Sequence, residues 1–332
     1  MKIPAFGINA VLACTLGFVS TARSACTVNQ AAQSSNSFPA LSGRLVYHAY
    51  LNYGDGSSNL YLVDFPAQTR SQLNTPAWNL SDPMNAQFSP DGKKLLFMAR
   101  QAGNWHVFIW TIGSMNNPMN LTATLGGRNE DPKFSADGKH IVFKHEGDIR
   151  FATLTFRGPD VIGVSAWRAI TGNGWATEES MPYPSPSGKY VLYTIGSATS
   201  SIYRINQQSG QTQLLTTTPT GAHDYYPVVR DLSSYFFTRS MPGSGVDQIM
   251  MMVPNISGST AFALALNDCG SNNSDAAPVD EDYLIFSSSR FDGPYGLVIG
   301  DIGSGKVWRL NSTSVNVNDG RQKLGASYSA AR

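Results

Sequence analysis

The hydrophobic positions of the chain fall into short apolar runs that each follow a turn and end in an aromatic residue. Six of these runs end at Tyr47, Phe97, Phe143, Tyr193, Phe237 and Phe286. The aromatics lie 50, 46, 50, 44 and 49 residues apart. Short apolar runs between turn residues are typical of β-strands, and the near-constant spacing indicates a structural repeat.

The turn before the apolar run has the same chemistry in several repeats. In three copies a longer similar segment precedes the apolar run. These segments are FSPDG at 88–92, FSADG at 134–138 and PSPSG at 184–188. Glycine accepts a positive φ, so Asp-Gly and Ser-Gly favour a tight hairpin turn. Each repeat is therefore predicted to begin with a strand, a tight turn and a second strand.

A third strand follows each predicted hairpin, and a fourth element ends most of the repeats. Third strands are predicted at 59–65, 105–112, 149–155, 201–206, 248–253 and 296–302, and fourth elements at 79–81, 120–122, 169–171, 214–216 and 309–311. Four short strands in each period of about 40–50 residues are the composition of a propeller blade. The pattern predicts an all-β fold, a six-bladed β-propeller with four-stranded blades.

The ring of blades needs one more inner strand, because the first repeat starts with its second strand. The segment Gly325-Ala326-Ser327-Tyr328 is similar to the start of a repeat, as in Ala86-Gln87-Phe88-Ser89. We predict that this C-terminal segment supplies the innermost strand of the first blade, which would remove an open sheet edge. The segment at 37–39 is a competing candidate for the same strand.

Two runs carry a resemblance to a known family. PKFSADGKHIVF at 132–143 and FSSSRFDG at 286–293 resemble the repeat of TolB-like, WD-type β-propellers, and the resemblance extends over about 44–329. It implies the fold more strongly than a function, because such repeats occur in periplasmic translocation proteins, peptidase propellers and some pectin-degrading lyases.

The N-terminus has the features of a signal peptide. Lys2 precedes a mostly apolar stretch at 3–19, and small residues flank Arg23 at a cleavage position near Ser24 or Ala25. We expect a signal peptide at 1–24, an N-terminal arm at 25–43, a propeller domain at 44–332, and a secreted or periplasmic location. A membrane anchor and lipidation of Cys14 or Cys26 are the alternatives, and no transmembrane segment is expected.

Cysteine usage adds one expectation. After cleavage the chain keeps Cys26 and Cys269. Two cysteines in an exported chain suggest one disulfide between them, and two free thiols are the alternative.

Composition and motifs exclude several classes of function. The formal net charge is only +1, so no basic field points to nucleic acid. The chain has no Gly-x-Ser-x-Gly elbow, phosphate-binding glycine loop, His-Glu-x-x-His or paired Cys-x-x-Cys. No metal site is predicted, no cofactor is indicated, and we expect a monomer that binds a protein or carbohydrate ligand.

Polar residues are expected to converge on one mouth of the propeller channel. The candidate binding residues are Asp82, Asn129, Glu179, Asp224 and Asp275 before the inner strands, with Arg100, Arg239 and Arg290 at the ends of the second strands. They could form a polar funnel for a sugar, a peptide or a cation. Alternatively each Asp caps its own turn or pairs with an Arg, and the repetition in several blades favours this structural role.

One segment breaks the symmetry of the repeats and is the candidate for catalysis. His223 could act as a general base and Tyr225 or Tyr226 as an acid, while Arg239 or Arg290 holds a uronate carboxylate. This would be β-elimination on an acidic polysaccharide. A histidine packed in a loop is the alternative, and it is favoured.

Three hypotheses for function follow in order of preference. The first is an exported binding propeller that recruits a protein or glycan through its mouth. The second is a polysaccharide lyase of propeller fold, and the third is a structural component of the cell envelope. Whether the protein is an enzyme is left open.

Overall fold

A computed structural model describes residues 38–330 apart from 173, 232, 244, 256–257, 269, 292–293 and 312–314. Within this part, 24 strands form six four-stranded antiparallel sheets, accompanied by two short 3-10 helices at Pro76–Trp78 and Gly174–Ala176. The sheets are the blades of a propeller, and the predicted six-bladed fold is confirmed.

Each blade is a meander that runs from the channel outward. Blade 1 contains β24 (Gln322–Ser329), β1 (Arg44–Tyr50), β2 (Asn59–Asp64) and β3 (Thr69–Gln72). Blade 2 contains β4 (Ser81–Phe88), β5 (Lys94–Gln101), β6 (Asn104–Thr111) and β7 (Met119–Asn120). Blade 3 contains β8 (Asn129–Phe134), β9 (His140–His145), β10 (Asp148–Arg157) and β11 (Asp160–Ala169).

The other three blades repeat this order. Blade 4 contains β12 (Glu179–Pro184), β13 (Tyr190–Ile195), β14 (Ser201–Asn206) and β15 (Thr212–Leu214). Blade 5 contains β16 (His223–Val229), β17 (Tyr235–Ser240), β18 (Asp247–Asn255) and β19 (Gly258–Ala263). Blade 6 contains β20 (Asn273–Pro278), β21 (Tyr283–Ser288), β22 (Gly296–Asp301) and β23 (Val307–Arg309).

The two ends of the chain close the ring. β24 pairs antiparallel with β1, from Arg44 opposite Ser329 to Tyr50 opposite Gln322. The predicted closure by a C-terminal strand is confirmed. Of the competing segment, the described residues Phe38 and Pro39 belong to no strand, and Phe38 packs edge-on against Phe65 with ring centroids 6.2 Å apart.

Local chemistry explains the tight turns between first and second strands. In blade 2, Asp91 Oδ1 accepts hydrogen bonds from Ser89 Oγ (2.6 Å) and from the backbone N–H of Lys93 (3.0 Å). Gly92 has a φ of +68°, which an L side chain adopts only at a cost. Asp-Gly therefore fixes the hairpin as the sequence predicts.

The core lies between neighbouring blades. All six aromatics that mark the repeat, Tyr47, Phe97, Phe143, Tyr193, Phe237 and Phe286, are buried. One cluster joins Val46 and Leu60 of blade 1 to Leu95 and Phe97 of blade 2. Burial of one such side chain contributes about 1.5–3 kcal/mol, so the repeating aromatic stabilises each contact between blades.

The outermost strand of blade 1 differs from the prediction. It is β3, Thr69–Gln72, whereas residues 79–81 follow a 3-10 helix and lead into β4. The reason is that β3 is polar and largely exposed, so an apolar triplet does not mark it. In blades 2 to 4 and 6 the outer strand ends within or directly before the predicted triplet.

Some sequence predictions fall outside the described residues. These are the signal peptide at 1–24, most of the N-terminal arm, and both Cys26 and Cys269. The start of the propeller domain at 44 coincides with the start of β1. Among the described residues, no helix is long and apolar enough to cross a membrane.

Candidate functional site

Every inner strand contains a bulge at the same place. The register between the first and second strand of each blade shifts there. One residue at each bulge has a left-handed backbone, giving the ring Asn85, Asp131, Met181, Tyr226, Asp275 and Gly325. A bulge redirects side chains at the end of a strand, and here it brings one residue of each blade to the channel.

A cavity of about 330 Å³ occupies the mouth where the inner strands begin. The residues that line it include five of the six left-handed residues, namely all except Gly325. The ends of the second strands contribute His48, Tyr50, Met98 and Lys144. We call this space the mouth cavity, and it is at the predicted mouth.

A second cavity of about 300 Å³ lies at the opposite end of the channel. Lys133 is the only Asp, Glu, Lys, Arg or His among its lining residues. The Lys133 ammonium lies 5.5 Å from the centroid of the Tyr226 ring, and Tyr226 lines both cavities. The contact between Lys133 and Tyr226 therefore lies between the two spaces.

Four charged residues at the mouth cavity neutralise one another. Arg128 Nη2 lies 2.6 Å from Glu130 Oε1, and Lys144 Nζ lies 2.7 Å from Glu178 Oε1 and 3.7 Å from Glu130 Oε2. Together they carry two positive and two negative charges. This network adds no net charge to the mouth.

Asp275 is buried beside this network. Its carboxylate accepts hydrogen bonds of 2.9 Å from the backbone N–H of Gly325 and from Ser274 Oγ. Burial raises the pKa of Asp275 despite these bonds and the nearby Lys133 ammonium. Burial also lowers the pKa of Lys133, while Asp131 and Asp275 act in the opposite direction.

An aromatic series leads from the channel wall to the rim. The rings of His48 and Tyr50 stack with centroids 5.8 Å apart, and Tyr53 meets Tyr50 edge-on at 6.1 Å. His48 is 3% exposed and Tyr53 is 66% exposed. Tyr53 therefore presents a large aromatic surface to solvent at the entrance of the cavity.

The protonation of His48 is fixed by its neighbours. Nδ1 accepts a hydrogen bond of 3.3 Å from the backbone N–H of Asn85, so the ring proton is on Nε2. Burial, together with the Lys133 charge, lowers the pKa of His48 to about 3. The imidazole is neutral and its Nε2–H is a donor.

Three of the residues predicted from the sequence line the mouth cavity, namely Tyr225, Tyr226 and Asp275. Burial, with the charge of Asp247, raises the pKa of Tyr225, and burial with Asp275 and Asp131 raises that of Tyr226. Both phenols keep their protons. Their assignment as catalytic acids stays a prediction.

Two of the predicted Asp residues pair with a predicted Arg of their own blade, and Asp82 also contacts blade 1. Arg239 Nε and Nη2 lie 2.6 and 2.7 Å from the two oxygens of Asp224, which is fully buried. Asp82 accepts a hydrogen bond of 2.9 Å from the backbone N–H of Gly56 and lies 3.7 Å from Arg100. These geometries match the structural alternative considered for the repeated Asp and Arg residues.

The remaining predicted binding residues are also outside the mouth cavity. Asn129 Nδ2 donates to the carbonyl oxygen of Gly126 at 2.8 Å, and Arg290 Nη2 donates to that of Leu266 at 2.7 Å. Glu179 is buried at the start of β12. A binding role for these residues stays a prediction.

His223 is half-buried at the first position of β16, opposite Ser240. The residues that line the mouth cavity do not include it. Its role as a general base stays a prediction. Among the described residues, no group of three or more His, Cys, Asp or Glu could hold a metal ion.

Sequence reasoning missed most of the side chains that form the mouth cavity as a binding surface, above all His48, Tyr50, Tyr53 and Asn85. The sequence does mark the six left-handed residues at the bulges of the inner strands. An Ala or Pro follows each left-handed residue, at 86, 132, 182, 227, 276 and 326. These dipeptides recur with the period of the blades.

Comparison with known proteins identifies the relatives of the chain. The profile of the TolB beta propeller domain matches residues 24–230. No curated protein sequence matches the chain.

Solved structures share the fold. TolB from Acinetobacter baumannii is 15% identical, with a TM-score of 0.64 over 87% of this chain and 67% of that one. A putative TolB from Agrobacterium tumefaciens is 18% identical, with a TM-score of 0.58 over 81% of this chain and 89% of that one. An oligogalacturonate lyase in complex with manganese is 14% identical, with a TM-score of 0.50 over 82% and 74% of the two chains. At such identities the similarity shows the fold alone.

Proposed function

Because this chain belongs to the TolB β-propeller family, we propose that it is a binding module that holds a protein or glycan segment in its mouth cavity. The N-terminal features at 1–24 support the further proposal that it works outside the cytoplasm. Both proposals follow the order of preference that the sequence favours.

The observation that carries the proposal is the aromatic series His48, Tyr50 and Tyr53. Tyr53 is 66% exposed at the entrance of the cavity, so its ring is available for contact with a ligand. Leu51, in the same loop, is 56% exposed. Aromatic residues with a solvent-exposed polar group, such as the tyrosine hydroxyl, are common at the centre of binding surfaces. The entrance of the mouth cavity is therefore suited to a ligand.

The mouth also offers polar groups that fix the orientation of a ligand. Asp131 and the neutral His48 lie inside the cavity, and the charged network around Glu130 and Lys144 surrounds it. A concave space with apolar walls and a few polar groups is the usual form of a ligand site. No contact of His223 favours the lyase alternative over binding.

Capture experiments with matched variants test the proposal. Wild-type protein is immobilised and exposed to an extract of the source organism and to a glycan array, in parallel with Tyr53→Ala. The control is Phe262→Ala, which removes another exposed aromatic, on β19 of blade 5. We expect a ligand that wild type and Phe262→Ala retain and that Tyr53→Ala loses. Equal capture by all three proteins would contradict the proposal.

A further inference from the structure

Resting on the proposed function, we infer that the mouth cavity is specific for a protein segment that inserts a lysine or arginine side chain toward Asp131. The charge at the channel centre, the free oxygen of Asp131 and the unused donor of His48 carry this inference.

The charged residues around the channel centre favour a cationic ligand. The network of Arg128, Glu130, Lys144 and Glu178 is neutral as a whole. Inside it remain two carboxylates, Asp131 and Asp275, and one ammonium, from Lys133. Asp247, which also acts on Asp275, adds a further carboxylate, so the acidic groups at the channel centre outnumber the Lys133 ammonium and favour a positively charged ligand.

Only one of the two carboxylate oxygens of Asp131 has a hydrogen-bond donor among the described residues. Its Oδ1 accepts a hydrogen bond of 2.8 Å from Asn85 Nδ2. No donor among the described residues is within hydrogen-bond distance of Oδ2. The bond from Asn85 fixes the half-buried carboxylate, and Oδ2 is left for a ligand. Asp275 differs, because both of its oxygens are occupied.

The Nε2–H donor of His48 is a second feature that points to a ligand, independent of Asp131. This side chain is 3% exposed and lines the mouth cavity. Its Nδ1 is occupied by the N–H of Asn85, and its Nε2–H has no acceptor among the described residues. The Nε2 atom is not one of the buried atoms without a partner, so this donor is open to the cavity, where a ligand oxygen such as a backbone carbonyl would accept its hydrogen bond.

The two groups together indicate the ligand class. Lysine and arginine place a charge at the end of a long apolar stem, and the rings of Tyr50 and Tyr53 offer apolar walls for that stem. The peptide carbonyl of the same segment matches the Nε2–H of His48. A protein segment supplies both the cation and the carbonyl acceptor, so we favour it over a glycan.

The test uses short capped peptides and the mature full-length protein. The probes are Gly-Ser-X-Ser-Gly peptides, acetylated and amidated, where X is lysine, arginine, norleucine or glutamate. A chitosan tetramer serves as the cationic glycan probe. Binding is measured by saturation-transfer difference NMR, which detects dissociation constants up to about 10 mM.

Two isosteric variants isolate the charge. Asp131→Asn removes it and keeps a residue type that tolerates the left-handed φ of +51° at this position. Asp160→Asn makes the same change at an exposed residue at the start of β11. We expect the lysine and arginine peptides to bind wild type and Asp160→Asn equally, and Asp131→Asn at least about tenfold more weakly. The norleucine and glutamate peptides should be weaker by a similar factor.

Several results would overturn the inference. These are equal binding of the lysine peptide by Asp131→Asn, equal affinity for the glutamate peptide, or no peptide binding at about 10 mM. Binding of the chitosan tetramer alone, dependent on Asp131, would overturn the choice of a protein segment. If capture still depends on Tyr53 in any of these cases, the proposed function stands and only the ligand class is wrong.

Discussion

Asn85 and Asp131 occupy the same left-handed position in neighbouring blades, and Asn85 Nδ2 donates a hydrogen bond of 2.8 Å to Asp131 Oδ1. Asn and Asp are the side chains that accept this backbone most readily after glycine. The ring of bulges thus does two things at this point. It links blade 2 to blade 3, and it orients the Asp131 carboxylate, whose Oδ2 has no donor among the described residues.

Gly325, the member of this ring on the closing strand, should tolerate no side chain. Its φ is +60°, and a Cβ would lie 2.7 Å from His48 Nδ1 and 2.9 Å from Asn85 Oδ1. We expect Gly325→Ala to lower the free energy of unfolding by about 3 kcal/mol, from the left-handed backbone and the overpacking together. Urea denaturation followed by circular dichroism measures this change.

Gly320→Ala is the matched control for that prediction. Gly320 has a φ of +83°, but nothing lies within 4 Å of an added Cβ. It should cost only the backbone strain, about 1 kcal/mol. Equal losses in the two variants would show that the contact of position 325 with His48 and Asn85 does not matter.

The buried ion pair of Asp224 and Arg239 should stabilise the folded protein. Arg239→Gln leaves the fully buried Asp224 carboxylate without its cation, and we expect a loss of about 3–5 kcal/mol. The double variant Asp224→Asn/Arg239→Gln removes both charges and should recover part of this loss. Chemical denaturation of the three proteins measures the coupling. A loss below about 1 kcal/mol in Arg239→Gln would refute a structural role for the pair.

His48 should make the protein less stable in acid. Its pKa is about 3 in the folded protein and 6.5 in an unfolded chain, so the unfolded state binds more protons between these values. The free energy of unfolding therefore falls as the pH drops from about 6.5 toward 3. Asp275 acts in the opposite direction, because burial raises its pKa and protonation favours the folded state.

A comparison with His48→Asn isolates this effect, because asparagine can still accept the N–H of Asn85. Between about pH 7 and pH 4 the variant should lose roughly 3 kcal/mol less stability than wild type. Urea titrations at several pH values give the difference. Parallel stability curves for the two proteins would contradict a buried neutral histidine.

The repeat could be read from the sequence because strand and turn lengths set its period. Tyr47 and its five equivalents are buried between blades, so selection for packing keeps them regularly spaced. The similarity of 325–328 to 86–89 identified the closing strand for the same reason. Polar outer strands such as Thr69–Gln72 do not contact the core, so their position left no apolar signal.

The mouth cavity could not be read in this way. Tyr225 and Tyr226 are consecutive, and a regular strand would send them to opposite faces, yet both line the cavity. The left-handed φ of +55° at Tyr226 is the reason. Strand register also decides that Asp224 lies opposite Arg239, which turns a predicted ligand contact into an internal pair. Neither feature follows from alternation of polar and apolar residues.

Site-specific photo-crosslinking tests most directly whether the mouth cavity is a binding site. A benzophenone amino acid replaces Tyr53 at the rim in one protein and Phe156, which is 41% exposed on β10, in the other. After irradiation in an extract of the source organism, we predict a discrete adduct from position 53 that mass spectrometry identifies, and none from position 156. The same adducts from both positions, or none from position 53, would contradict the account.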